Sequence, residues 1–531
     1  VANRELFRAA ARAFSVIART APRRSSKARV KTHHGSRTVV TAYVGIALAA
    51  LGLVFIGGWA RRPEWALACH VAAGLAWIVA WRAAERASPS PAFVLGGALL
   101  LRCLALSSHL DTSDDVHRYV WEGELVRRGI SPYAAAPADP SLESVRAEFP
   151  VLAASVGHPE IPAIYPPLVQ GVGAVTATWV DLTGGSLERD GPRILRFLFA
   201  AADLAVLVPL AYLLRARRRP VGALVAWAWC PLVAFEFAGA SHFDSLGILL
   251  LVAGIAAWDR LDADRGSGAS SSDDDRLAPA GFASRRGREV RAALLVAGAV
   301  LVKYLPLLVL AWAGRRGTPR PFEHGTETRP GAISGEAGAS RFGWGRIALV
   351  VVIVGLAFVP FAFLVGAERG FAQAFVSYGT RWEAGSLVFR FVRGACESWP
   401  ISTWWWIHPY ELPRILTAIA GVVAVAWIVR REDERARGVG RCVAVFLLLT
   451  PTLHPWYLTW LVPFLALRPS AAWIWLVATA GVLYAPLAAW QLERAWIEPA
   501  WMWPVFALPF LALAIAPFNW VRRLRKLCGE P

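Results

Sequence analysis

The stretch SHLDTSDDVHRYVWEGELVRRGISPYAAAP, Ser108–Pro137, lies between apolar runs long enough to cross a bilayer, yet places Asp111, Asp114, Asp115 and Glu122 within its first fifteen positions. Acids are costly at membrane depth, so this stretch must lie outside the hydrocarbon. If DDVHRYVWEG forms a short helix, Asp114 and Arg118 are four residues apart and share a face with Asp115 and Tyr119. A simple N-cap by Ser113 or Asp114 accounts for one acid. It leaves the Asp-Asp pair beside His117 and Arg118 unexplained.

The chain around this stretch has 531 residues, of which 56% are hydrophobic and only 18% charged, with 26 tryptophans. A water-soluble core cannot hide that much apolar surface, so lipid must serve as solvent. The net charge of +18 would suggest a nucleic-acid partner in a soluble protein. Here the basic residues gather in short loops and at the ends (Arg4–Arg37, Arg215–Arg219, Arg430–Arg437, Arg522–Lys526), where they set orientation. The six cysteines are scattered without Cys-x-x-Cys spacing, which argues against a disulfide framework or a thiolate metal site.

A spanning helix needs about 20 apolar residues. Clear candidates lie near 39–60, 64–81, 91–109, 193–214, 221–239, 346–366, 411–429, 471–489 and 502–519, with shorter ones near 245–259, 440–453 and 456–467. The expected fold is therefore an all-α polytopic membrane protein. Alternate threading puts the basic clusters on the cytoplasmic side if 161–180 and 292–314 are re-entrant or half-inserted. Only Arg61 and Arg62 violate the rule.

That topology gives a basic cytoplasmic tail over 1–38, one transmembrane domain over 39–520 and a second basic tail over 521–531. Within the domain, 108–165 forms a large outer loop. The Gly-, Ser- and Pro-rich segments 259–291 and 315–340 are expected to be disordered cytoplasmic linkers. Glu236–Asp244, Gly370–Tyr410 and the turn at Leu453–Tyr457 fall on the same outer face as the acidic stretch.

Two charged residues lie within apolar helices. Lys303, in the middle of AALLVAGAVLVKYLPLLVLA, costs about 2.5–3.5 kcal/mol on insertion scales and so needs a partner or a polar cavity. Asp203, within a second apolar helix, is one partner, and an interhelical polar anchor is the reading preferred for it. Glu236, His242 and Asp244 in EFAGASHFDS are read as sugar ligands or loop polarity, with a divalent metal such as Mg or Mn conceivable. No metal ligand is assigned firmly. His454, Trp456 and Tyr457 in HPWY fit either sugar stacking or an interfacial aromatic belt, and Trp382 can face an acceptor. Tyr133 and Tyr165, each beside a proline, read as rigid loop anchors.

The segment SDDVHRYVWEGELVRRGISPYAAAP resembles the S-D-D-x-x-R-Y-x-W-D-G-x-x-x-x-G-x-N-P-Y stretch of bacterial GT-C membrane glycosyltransferases. The group it is most similar to comprises the polyprenol-phosphate-mannose-dependent mannosyltransferases and glycosyltransferase family 87. IYPPLVQ, CPLVAFEFAGASHFDSL, LVKYLPLLVLA and LTPTLHPWYLTWLVPF resemble further landmarks in the same order, so the likeness covers roughly residues 90–470. His117, Glu122, Ser131, Ser241 and Phe243 depart from the pattern.

The resemblance implies a GT-C-like bundle of about 11–13 transmembrane helices in a bacterial plasma membrane, with an extracytoplasmic site and both ends cytoplasmic. It implies an inverting enzyme that moves a sugar, mannose in the group it resembles, from a polyprenyl phosphate to a lipid or glycan acceptor. Lipid phosphate is already a good leaving group, because its second pKa is about 6. One carboxylate base is then enough, in contrast to the pair that a glycosidase needs. The matching motif position makes Asp115 that base, with Asp114 next. Arg118, Lys303, Arg381 and His454 are the candidates for the donor phosphate. Tyr119, Trp121, Glu122, Glu236, His242, Asp244, Trp382, Trp456 and Tyr457 are those for the sugar and acceptor. A membrane transporter or lipid-linked-saccharide flippase is the alternative. It would use Asp203 and Lys303 as a pathway, yet the repeat symmetry it calls for is not visible in the sequence.

Overall fold

A computed structural model describes residues 28–109, 111–266, 284–313, 343–366, 382–398, 411–508 and 510–511. Among these residues the chain is helical, joined by turns and three isolated backbone bridges. The all-α polytopic expectation holds. Five helices are long and apolar enough to cross a membrane: Gly35–Ile56, Pro63–Ala87, Leu187–Ala216, Trp344–Phe363 and Leu412–Arg431. Two bent pairs, Val221–Ala228 with Pro231–Gly239 and Ala471–Ala478 with Ala480–Glu493, raise the number to seven. The remaining difference from the about 11–13 expected lies in helices that are short or broken, such as Pro91–Leu106 and Pro455–Leu467, and in the run at 502–519, half of which lies outside the described residues.

Local chemistry explains where the helices start and stop. Proline at the first helical position opens Pro63–Ala87, Pro91–Leu106 and Pro167–Leu182, where the missing N–H costs nothing. Ser90 adds a cap by accepting from the Phe93 N–H at 3.2 Å. The run over 292–314, expected to be half-inserted, is helix Arg285–Val302, an extended residue at Lys303, and a 3-10 turn at Leu305–Trp312. The 161–180 run becomes a loop ending at Pro166 and the helix Pro167–Leu182.

One hydrophobic core joins most of the spanning helices, and a second forms under the outer stretch around Val116, Tyr119, Val120, Trp121, Leu125 and Phe199. The acidic stretch does form a helix, Asp115–Arg127, which crosses Pro167–Leu182 in close contact. A Cβ on Gly123 would come within 2.1 Å of the Gly173 backbone. Only glycine allows this approach. Elsewhere, large side chains such as Leu48, Phe55, Val175 and Phe363 face outward, as they must where lipid replaces water.

The linker assigned to 259–291 begins too early and ends too late. Asp244–Gly266 and Arg285–Val302 are continuous helices; within 259–291 only 267–283 lies outside the described residues, and all of 315–340 does. The acids that read as linker polarity are ion-paired inside the protein. Asp259 binds Arg217 at 2.9 Å and Arg435 at 2.5 Å, while Asp262 binds Arg435 at 2.8 Å and Arg346 at 2.9 Å. Arg435 is fully buried. Buried charges persist only when paired in this way.

Asp203 does not meet Lys303. It binds Arg102 through two bonds of 2.7 and 2.8 Å, and the same guanidinium donates to the Ala228 carbonyl. Asp203 therefore ties Leu187–Ala205 to Pro91–Leu106, away from any open channel, as a buried fork-to-carboxylate pair.

Candidate active site

Residues distant in sequence meet around a cavity of about 550 Å³ at one end of the bundle. The start of Asp115–Arg127, the loop over 155–166, the start of Asp244–Gly266, the break at Lys303, Trp382, the turn at His454–Tyr457 and the segment 483–496 all contribute. The four segments that the sequence groups on one face thus each reach this space, Gly370–Tyr410 through Trp382, with 370–381 and 399–410 outside the described residues.

Two backbone features aim the acids and imidazole. Ser113 Oγ accepts from the Asp115 N–H at 3.2 Å, so Ser113, and not Asp114, supplies the local turn; the Asp114 side chain caps nothing. Phe235–Gly239 is one turn of π-helix, followed by Ser241 at φ 66°. Such turns and left-handed residues carry strain and concentrate where a side chain must be re-aimed. Here they reverse the chain so that His242 faces Asp115.

The Asp115 Oδ1 accepts from the Tyr165 hydroxyl at 3.2 Å, and His242 Nε2 lies 3.6 Å from Oδ2. That Nε2 is buried and makes no hydrogen bond. On its other side, His242 Nδ1 lies 3.1 Å from Glu236 Oε2 and 3.3 Å from the Glu236 carbonyl. Glu236 Oε1 accepts from Tyr484 at 2.6 Å. Burial works against the imidazolium, but Glu236 and then Asp115 and Asp244 outweigh it and raise the His242 pKa. Asp114 opens onto the cavity while surrounded by protein, and this dehydration, with Asp115 beside it, raises its carboxyl. Its carboxylate rests against Gly157, where a Cβ would lie 2.3 Å from Oδ2.

The candidates for phosphate binding divide. Lys303 lines the cavity, binds Asp244 Oδ1 at 2.6 Å and sits 4.0 Å from the centre of the Tyr457 ring. Trp460 donates to the same Asp244 oxygen. Arg118 is otherwise occupied: it donates to the carbonyls of Gly157 (3.1 Å), His158 (2.7 Å) and Ile161 (3.0 Å) and to Glu122 (3.1 Å). It latches the loop over 157–161 and leaves little for a ligand. His454 stacks on Trp456 at 4.3 Å; burial first, then His242, Lys303 and His158, lower its pKa to about 3. It can act as a neutral imidazole and not as a cation. Arg381 lies outside the described residues.

Of the sugar and acceptor candidates, Tyr119, Asp244, Trp382, Trp456 and Tyr457 line the cavity. Trp121, Glu122, Glu236 and His242 stand behind its wall. Trp121 belongs to the core beneath the outer stretch, because successive residues of a helix point about 100° apart and only one face of Asp115–Arg127 reaches the cavity. Glu122 accepts from Arg118 and from Gln170 at 2.7 Å, and burial pushes its carboxyl up to about 7. His242 supports Asp115 and stacks on Trp456 at 4.1 Å.

The acids here do not suit a divalent metal. Asp244 is held by Lys303 and Trp460, and Glu236 by Tyr484 and His242. Among the described residues no three His, Cys, Asp or Glu side chains converge in a metal-binding group.

Sequence reasoning missed several residues. His158 meets Trp382 at 4.4 Å and Trp490 at 5.8 Å; its signal was a histidine beside proline in the outer loop. Tyr165, read as an anchor, reaches Asp115. Arg494, at φ 57°, lines the cavity over the Trp490 ring and has no carboxylate within salt-bridge distance among the described residues. Nothing in its local sequence marked it, since it follows an apolar helix near the end of the chain.

A mannosyltransferase family model, described as the alpha-(1->6)-mannopyranosyltransferase N-terminal domain, matches residues 9–316, more than half of the chain. The chain belongs to this family. It is a membrane glycosyltransferase of mannosyltransferase type, consistent with the GT-C resemblance read from Ser113–Pro137. No curated protein and no solved structure matches it. The match takes in Asp114, Asp115, His242, Asp244 and Lys303. The cavity is completed by Trp382, His454, Trp456, Tyr484 and Arg494, all beyond the matched residues.

Proposed function

We propose that this mannosyltransferase-family protein transfers a mannosyl group from a polyprenyl phosphate to a lipid or glycan hydroxyl, with inversion, at the extracytoplasmic face of a bacterial plasma membrane. Asp115 takes the proton of the acceptor hydroxyl. The oxygen attacks the anomeric carbon as the bond from that carbon to phosphate oxygen breaks, and polyprenyl phosphate departs with the bonding pair. The family description names an α-(1→6) linkage, so the acceptor oxygen on this reading is the primary 6-hydroxyl of a hexose. Inversion then requires a β-linked donor.

The observation that carries this reading is that Asp115 and Lys303 line one cavity. Asp115 is oriented from behind by Tyr165 and His242, as a base must be before geometry favours proton transfer. Lys303 is the cation for the phosphate, assisted by Arg494. Trp382 and Tyr457 offer ring surface on which a sugar stacks, whereas the faces of Trp456 are taken by His242 and His454.

The test is transfer of labelled mannose from polyprenyl-phosphate-mannose to a mannoside acceptor by the purified protein. Asp115→Asn should lower transfer by about 10²–10⁴-fold, the range for a lost general base, with an unchanged unfolding temperature. Full activity of a folded Asp115→Asn protein would remove the base assignment. Solute uptake into proteoliposomes that ignores this substitution would favour a transporter.

A further inference from the structure

A second cavity, of about 270 Å³, opens at the opposite end of the bundle. The helix Arg435–Leu449 separates the two: Arg437 and Arg441 in its first turns line this cavity, whereas the turn after its last residue lines the first. Fifteen helical residues span about 22 Å, so the two spaces lie near opposite membrane surfaces.

Its lining contains four arginines, Arg217, Arg437, Arg441 and Arg468, and one acid, Glu434. Arg217 is consumed by Asp259 at 2.9 Å and Glu434 at 2.5 Å. Arg437 shares Glu434 (3.2 Å) and Glu432 (3.6 Å), and Arg441 reaches Glu432 at 2.9 Å while 44% exposed. Arg468 has no carboxylate within salt-bridge distance among the described residues, and it stands beside Arg437 and Arg441. Partial burial and these two like charges disfavour its guanidinium and outweigh the pull of Glu432 and Glu434. Cations placed so are relieved by an anion from outside. Phe464, Leu465 and Trp473 form the apolar part of the wall, which a small hydrated ion would leave unused.

We propose that this cavity holds the phosphate of an anionic membrane lipid, with Arg441 and Arg468 on the phosphate oxygens and Phe464 and Trp473 against the first methylenes of its chains. Basic pockets between helices at a membrane surface suit such headgroups, and a guanidinium presents a fork to phosphate oxygens. The site is separate from the cavity holding Asp115 and does not depend on the reaction assigned there.

Native mass spectrometry of the purified full chain, given equal phosphatidylglycerol and phosphatidylcholine, tests it. The protein should retain phosphatidylglycerol preferentially. Arg468→Gln, which breaks no ion pair, and Arg441→Gln should each weaken retention by about fivefold, while Arg468→Lys should keep most of it. Inorganic phosphate at millimolar concentration should leave the unfolding temperature unchanged. No preference over phosphatidylcholine, or the same preference in the double variant, overturns the proposal. Stabilisation by inorganic phosphate that the double variant loses, without lipid preference, also overturns it and assigns the site to a free anion.

Discussion

His242 Nε2 faces the Asp115 carboxylate at 3.6 Å and makes no hydrogen bond, while its Nδ1 faces Glu236 at 3.1 Å. A histidine held between two carboxylates can orient the one in the cavity and temper its charge. His242→Gln keeps a donor but removes the imidazole's proton exchange. It should lower kcat by about tenfold to a hundredfold, less than Asp115→Asn, and alter the acid limb of the pH profile. An unchanged pH profile together with a lost unfolding temperature would mean that His242 merely fills space beside Trp456.

Lys303 and Arg494 should separate by salt. Lys303→Met removes a partly enclosed charge facing the cavity, and kcat/KM should fall by about 10²-fold with a lipid-phosphate donor. Arg494 is exposed, so Arg494→Gln should cost only a few fold, and that loss should shrink as ionic strength rises. Equal, salt-independent effects would contradict this division.

Arg118→Lys tests the latch. One ammonium cannot span three carbonyls and Glu122 as a guanidinium does. Amide exchange over 157–161 should accelerate and KM should rise, while Arg118→Lys should still fold because Glu122 keeps a cation. Unaltered exchange in that loop would show that Arg118 does not hold it.

Asp114 predicts a trade of stability for function. Its folded pKa is raised, so the folded state binds more protons than the unfolded chain, and stability falls as pH rises from the ordinary carboxylate range through the folded value. Asp114→Asn should therefore unfold at a higher temperature than wild type at neutral pH, with the gain disappearing below about pH 4, the ordinary Asp range. Thermal unfolding across pH 3–8 measures this. A gain that persists at pH 3 would point to a cause other than the charge.

Asp203 gives a control far from chemistry. Asp203→Asn leaves Arg102 buried without its carboxylate and should cost about 3–5 kcal/mol of stability. The protein that remains folded should transfer mannose at the normal rate. Selective loss of turnover, without loss of stability, would restore Asp203 to a functional pathway.

Much of this fold was legible because hydropathy reports directly which residues prefer lipid. The runs at 64–81, 411–429 and the bent 221–239 are helices, and Asp115, Asp244, Lys303, Trp382 and Trp456 do meet. What was hidden is pairing over long separations. Arg118 reads as a phosphate ligand until Gly157, His158 and Ile161 fold over it, and Lys303 finds Asp244 instead of Asp203. Arg217 and Arg435 read as charges that orient the chain, whereas both are neutralised internally. Such choices depend on how helices cross, which no local pattern encodes. Arg494 was missed for the same reason: only the path of the chain brings it to the cavity.

The paired acids on Asp244–Gly266 also bear on biosynthesis. Asp262 leaves the ribosome well before Arg346 and Arg435, the residues that neutralise it, and Asp259 has only Arg217 for a partner until Arg435 follows. Until those arrive, the end of a helix already in the membrane carries Asp262 unpaired and Asp259 with one of its two cations. A fragment stopping at residue 316, where the family match ends, would keep this defect for good and is expected to be cleared by quality-control proteases; the second half of the chain thus completes the assembly of the first.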